Sequence, residues 1–167
     1  DTGISNVHNL SWTVEFWFRV PNDSSNHPIV SSITGSGSVN GFSITSKSNG
    51  DLNASFLSGE YNVTASNEWD IDVDHRDGKW HHLIMSWDGV SGSTLYRKFD
   101  GVSYNTTTSR AGAASSDQTL KLGKYGGIAT YGEMDIAEFR LYSSNLTESQ
   151  MTANYNARKE LYELEFG

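Results

Sequence analysis

The chain has no cysteine among its 167 residues, which removes disulfides, thiolate metal sites and thiol catalysis together. Basic residues are also scarce. Twelve Lys and Arg stand against 20 Asp and Glu, and the formal net charge of −8 argues against nucleic acid or an anionic membrane held on a basic face. The acidic surplus is compatible with cation binding. No apolar run approaches the roughly 20 residues a bilayer crossing needs, so no membrane insertion is expected. Neither an initiator methionine nor a signal peptide opens the chain, as expected of a processed chain or an excised piece.

What is present fits one globular β domain. Only 2 Pro accompany 16 Gly, with 36% hydrophobic and 12% aromatic residues, a profile of packed rather than disordered chain. Residues 11–20 alternate: Trp12, Val14, Phe16, Phe18 and Val20 share one face, and Thr13, Glu15, Trp17 and Arg19 the other. Shorter strands are expected at 29–33, 41–45, 52–57, 61–64 and 120–123, separated by Gly/Ser/Asn-rich turns, with Asn49-Gly50 as a hairpin signal. Nothing suggests βαβ units, which points to a sandwich or barrel. Residues 68–77 hold Asp70, Asp72, Asp74 and Asp77 and read as a solvated acidic loop, because the glycine and terminal glutamate of an EF-hand are misplaced. Adjacent His81 and His82 on a strand must face opposite ways and read as structural.

The stretch 131–142 (Tyr-Gly-Glu-Met-Asp-Ile-Ala-Glu-Phe-Arg-Leu-Tyr) alternates as a central strand, with Ala137, Phe139 and Leu141 on one side. A short helix should follow. Thr147 can cap it, Gln150 can return the capping bond, and Leu146 can staple to Met151.

Three signatures in this order carry a family resemblance: Thr13-Val14-Glu15-Phe16-Trp17-Phe18-Arg19, then Trp80-His81-His82 with Trp87-Asp88-Gly89 and Asp100-Gly101, then the strand and capped helix at the end. The chain resembles the concanavalin A-like, laminin-G-like (pentraxin-like) domains across residues 10–157. The resemblance implies an all-β, two-sheet antiparallel jelly-roll sandwich with one short C-terminal helix. Such modules open with a strand like Leu-x-Phe-Asp-Gly that is missing here, while Tyr162, Leu164 and Phe166 alternate at the other end. Residues 1–160 are therefore expected to form the laminin-G-like module. Residues 161–167 are expected to supply the missing strand, in cis or donated head-to-tail to another copy.

Three functional readings follow. The first is a retaining β-glucanase: Glu133, Asp135 and Glu138 match the Glu-x-Asp-x-x-Glu spacing of laminarinase-type enzymes, in which a bulge brings both glutamates to one face at roughly 5 Å. Against it, such enzymes are longer and carry the motif mid-chain. The second is a glycan- or protein-binding module. Trp17, Trp69, Tyr125 and Tyr131 are its stacking candidates, and the resemblance implies calcium at one rim, for which Asp1 and Asp135 are the available ligands; the family's more usual aspartate position is Ala137 here. The third is an extracellular structural subunit that binds copies of itself. Acceptors for N-glycans at Asn9, Asn22, Asn53, Asn62, Asn105 and Asn145 fit a secreted glycoprotein. A non-catalytic extracellular module for contact and assembly is the expectation the three readings leave in front.

Overall fold

The computed structural model describes residues 11–32, 41–57, 68–73, 75–90, 93–107, 119–125 and 131–165, with side chains outside that description at 41–42, 55–57, 68–69, 107 and 163–165. Strand β1 (Trp12–Arg19) shows why the rest assembles as it does. Its Val14, Phe16 and Phe18 point between two sheets and are fully buried; each contributes roughly 1.5–3 kcal/mol of burial. Around it stand β6 (His81–Trp87), β7 (Thr94–Phe99), β8 (Val102–Ser103) and β11 (Asp135–Tyr142), in the order β11-β1-β6-β7-β8, with β9 (Thr106–Thr107) also on β7. The facing sheet runs β10 (Lys121–Leu122), β2 (His27–Ser31), β3 (Gly41–Ser46), β4 (Leu52–Leu57), β5 (Glu68–Ile71). All the described pairings are antiparallel, and Ile29, Val30, Ile44, Leu52 and Ile71 close the core from the second sheet. The expected jelly-roll sandwich is the fold found.

Turn chemistry sets the connections. Asp100 (φ 47) and Gly101 (φ 81) both take positive φ between β7 and β8, the two-residue geometry whose twist matches flanking strands. A Cβ on Gly101 would also lie 2.7 Å from the Tyr155 ring, so no other residue fits there. The Asn49-Gly50 turn likewise joins β3 to β4.

Two local expectations change. β5 is a strand where an acidic loop was expected, because Trp69 and Ile71 alternate with Asp70 and pair with β4. In β11, Ala137 is exposed and Ile136 faces the core. The register passes from Trp17↔Glu138 to Phe18↔Ile136, so Ala137 is the extra residue of a bulge and the alternation changes phase there. The expected 61–64 strand lies outside the described residues.

The largest correction concerns the C-terminus. The capped helix α1 (Glu148–Asn156) is there, with Thr147 and Gln150 exchanging both capping bonds. It is followed by a second helix, α2 (Lys159–Glu165), where the displaced opening strand was expected. Lys, Glu and Leu favour helix intrinsically, and one helical turn turns Tyr162 onto the sheet without any partner strand. Tyr162 stacks on Trp17 with ring centroids 4.3 Å apart. The side chain of Leu164, and all of Phe166, lie outside the described residues. The two helices form a third layer over the outer face of β1, which is why Thr13, Glu15 and Trp17 are as buried as the core residues between them.

Candidate functional site

The chain crosses between the edge strands β10 and β11 through residues 131–134, and this crossover builds a rim cleft. Tyr131 bridges Lys124, and the Gly132 N–H donates to the Gly123 carbonyl at 2.9 Å. A Cβ on Gly132 would stand 2.8 Å from the Pro28 carbonyl oxygen, so glycine is what lets the crossover lie against β2. The Glu133 N–H donates to His27 Nδ1 at 3.1 Å. Beyond it, the bulge at Ala137 sets Asp135 directly opposite Arg19 on the outward face. Arg19 Nε and Nη2 both donate to Asp135 Oδ2, at 3.0 and 2.6 Å, and the guanidinium sits 5.3 Å from the centre of the Trp80 ring. Both partners are exposed, so the pair contributes at most about 1 kcal/mol to folding; its effect is positional.

Arg19, Val20, Pro21, Gly78, Glu133, Met134 and Asp135 line a cleft of about 310 Å³. It presents guanidinium donors beside two carboxylate acceptors, an arrangement suited to hydroxyl groups. Tyr131 stands two residues before Glu133, 66% exposed, with Lys124 Nζ 5.2 Å from its ring centre. Tyr125 is half-buried nearby in sequence, and the Trp69 side chain lies outside the described residues.

The other sequence candidates fall elsewhere. Glu138 is absent from the cleft lining and is held by Arg140 Nη2 at 2.8 Å and Arg158 Nε at 3.2 Å, so the structure does not bring the glutamates of the glucanase spacing into one cleft. Asp135 is already held by Arg19, and no group of three His, Asp or Glu side chains could hold a metal among the described residues. Asp1, the other calcium candidate of the sequence, lies outside the described residues. Trp17 is a correction: at 2% exposure, stacked by Tyr162 and Tyr155 and against His82, it has no face left for a ligand. Asn53 is a second. It is 3% exposed and its amide donates to Asp70 at 2.7 Å, which leaves no room for a glycan. Asn22 and Asn145 are exposed; Asn105 is exposed, but its carbonyl accepts from the Arg97 N–H and its amide donates to Glu148; Asn9 and Asn62 lie outside the described residues. Of the acidic run, Asp70 and Asp72 are exposed, Asp77 binds His81, and Asp74 is not described.

His81 and His82 do face opposite ways. His82 lies under the helices with Nε2 3.2 Å from Glu15 Oε1, and Glu15 Oε2 accepts from the Tyr142 hydroxyl at 2.9 Å and Asn154 Nδ2 at 2.8 Å. Burial pushes the Glu15 carboxyl up, but the hydrogen bonds from His82 and Tyr142, the His82 charge and the Asn154 bond outweigh it and hold the group below its ordinary value. His81 lies on the core side between two carboxylates. Sequence reasoning missed Arg19, Trp80, His27 and Gly78; the one signal was Arg19 at the outward end of β1, without a partner until β11 is placed.

No curated protein matches the chain at the level of sequence. Among solved structures, the binding domain of botulinum neurotoxin DC in complex with SialylT superposes with TM-score 0.64 at 15% identity, over 91% of this chain and 36% of that one. The receptor binding domain of a botulinum neurotoxin C/D mosaic serotype gives TM-score 0.66 at 14% identity, over 91% and 37%. A botulinum neurotoxin type C structure, titled for cell entry dependent upon interaction with two ganglioside molecules, gives 0.63 at 12%, over 89% and 36%. The chain thus spans little more than a third of those chains, and at these identities the likeness is one of fold. The family described as the concanavalin A-like lectin/glucanases superfamily matches residues 2–152. With that match laid over the two sheets and their three ordered signatures, the chain belongs to the laminin-G-type family of the concanavalin A-like lectin/glucanases superfamily.

Proposed function

We propose that the chain is an extracellular, non-catalytic glycan-binding module whose rim cleft takes neutral sugar hydroxyls on the Arg19–Asp135 pair and Glu133, with Tyr131 as the flanking aromatic platform. The observation that carries this reading is the juxtaposition of an Arg19 guanidinium donating twice to one Asp135 oxygen with an exposed second carboxylate and an exposed tyrosine on the adjoining crossover. Vicinal hydroxyls both donate and accept, and such a cleft offers both partners. Support also comes from the solved domains of like fold, which are binding domains titled with SialylT, with ganglioside molecules and, in one case, with rat synaptotagmin II. The exposed sequons at Asn22 and Asn145 support the extracellular setting.

The test is a glycan array followed by titration calorimetry on any hit. Tyr131→Ala and Arg19→Met should each weaken binding about tenfold, roughly 1.4 kcal/mol. Chelator should leave the signal intact, since Arg19 occupies Asp135. An array silent for neutral and acidic glycans alike, or a hit indifferent to both substitutions, would sink the reading. Mass spectrometry of secreted protein should find glycan at Asn22 and Asn145 and none at Asn53.

A further inference from the structure

Two buried histidines each bind a segment that lines the cleft, and their hydrogen bonds require opposite protonation states. His81 Nδ1 lies 2.7 Å from Asp100 Oδ2 and its Nε2 lies 3.0 Å from Asp77 Oδ1. Carboxylates only accept, so both bonds exist together only when both ring nitrogens carry protons. Asp100 is fixed by β6, accepting from the His82 N–H and donating its own N–H to the His82 carbonyl. Asp77 belongs to the exposed turn 77–79, where Lys79 pairs with it through backbone N–H and Nζ. That turn supplies Gly78 to the cleft and leads into Trp80, on which Arg19 rests. Phe18 and Phe99 cover the faces of the His81 ring, with His75 beyond them.

His27 is the reverse case. Its Nδ1 accepts the Glu133 N–H, so the ring proton sits on Nε2, donated to Asp23 Oδ1 at 2.9 Å. A second proton, on Nδ1, would evict the Glu133 N–H. Around His27 the charged groups are Asp23, whose carbonyl also takes a bond from Arg76, and Glu133 itself.

We infer that the doubly protonated His81 ring holds the 77–80 wall of the rim cleft, so that this wall keeps its geometry only while both ring nitrogens carry protons. Deprotonating His81 removes one of its two donors, and the bond to the more exposed partner, Asp77, is the one to break; Gly78 and Trp80 then lose their anchor. The sign on the alkaline side is consistent. Burial disfavours the charged His81 ring, but the bonds and charges of Asp100 and then Asp77 outweigh it and hold its pKa above the ordinary 6.5. The contribution is therefore full below that value and lost as pH rises through the higher folded one.

The inference concerns the regulation of the proposed binding cleft, but its test uses no ligand, so it fails or survives independently of glycan binding. Two-dimensional NMR of the whole chain over a pH series follows the histidine rings, the Gly78 amide and the Trp80 indole. Gly78 and Trp80 should shift with the His81 inflection. Asp77→Asn should lower the His81 inflection and carry Gly78 and Trp80 with it. Gly78 and Trp80 unmoved through the His81 titration would overturn the inference. The unaltered chain alone decides this, whether or not a variant folds.

Discussion

Glu15 is the residue on which the helix layer rests electrostatically. It is 2% exposed, yet four donors reach it: His82, Tyr142, Asn154 and, at 3.4 Å, Arg140 Nη1. A buried carboxylate without partners is untenable, and the partners without it are nearly as costly. Glu15→Ala should therefore lower unfolding free energy by about 3 kcal/mol, read as a drop in urea midpoint at unchanged slope. An unchanged midpoint would mean the network contributes nothing. The pH sign follows from the lowered pKa. Glu15 contributes stability above its unfolded value of 4.5, and that contribution disappears as pH falls through the lower folded value. The sequence placed Glu15 on the outward phase of β1 with Trp17, but outward from one sandwich does not mean solvated. Only the helices, which the alternation of β1 cannot report, make that face an interior.

At the scale of elements, α2 acts through one ring. Tyr162 is 5% exposed, stacked on Trp17 at 4.3 Å and tilted against Trp80 at 5.6 Å, which in turn carries Arg19. Tyr162→Ala should cost about 3 kcal/mol and open Trp17 to water, seen as a red shift in tryptophan emission; Tyr162→Phe, which preserves the stack, should cost much less. Equal effects of the two would assign the contribution to the hydroxyl instead. The strands of the core were legible because one apolar face writes a period of two into the sequence, and the capping box of α1 because its two bonds are local. The helix α2 was not. Tyr162, Leu164 and Phe166 satisfy an alternating pattern as well as a helical one over so short a span, and the choice fell to tertiary contact with Trp17. The bulge at Ala137 was equally hidden, since it is a property of the pairing between β1 and β11 rather than of either strand. With it went the cleft, whose Arg19, Gly78 and Asp135 come from three segments that only the folded edge brings together.

For the whole molecule, the decisive fact is that β1 belongs to two interiors at once. Val14, Phe16 and Phe18 fill the space between the sheets, while Thr13, Glu15 and Trp17 lie beneath α1 and α2. The joint is also pinned by backbone: the Leu146 N–H donates to Thr13 Oγ1, and the Leu146 carbonyl accepts from Ser86 Oγ, both at 2.9 Å. The helices cannot leave without exposing a strand at the centre of its sheet, and the sheet cannot open without removing the floor under the helices. Isolated helices of 9 and 7 residues have no stability of their own in water. Unfolding should accordingly be a single event. Far-UV circular dichroism, tryptophan emission and the calorimetric enthalpy should report one midpoint near neutral pH, with calorimetric and van't Hoff enthalpies equal. An early loss of the Trp17 signal ahead of the β-sheet signal would show that the helix layer is an appendage, and the shared interior of β1 would not then be what unites the fold.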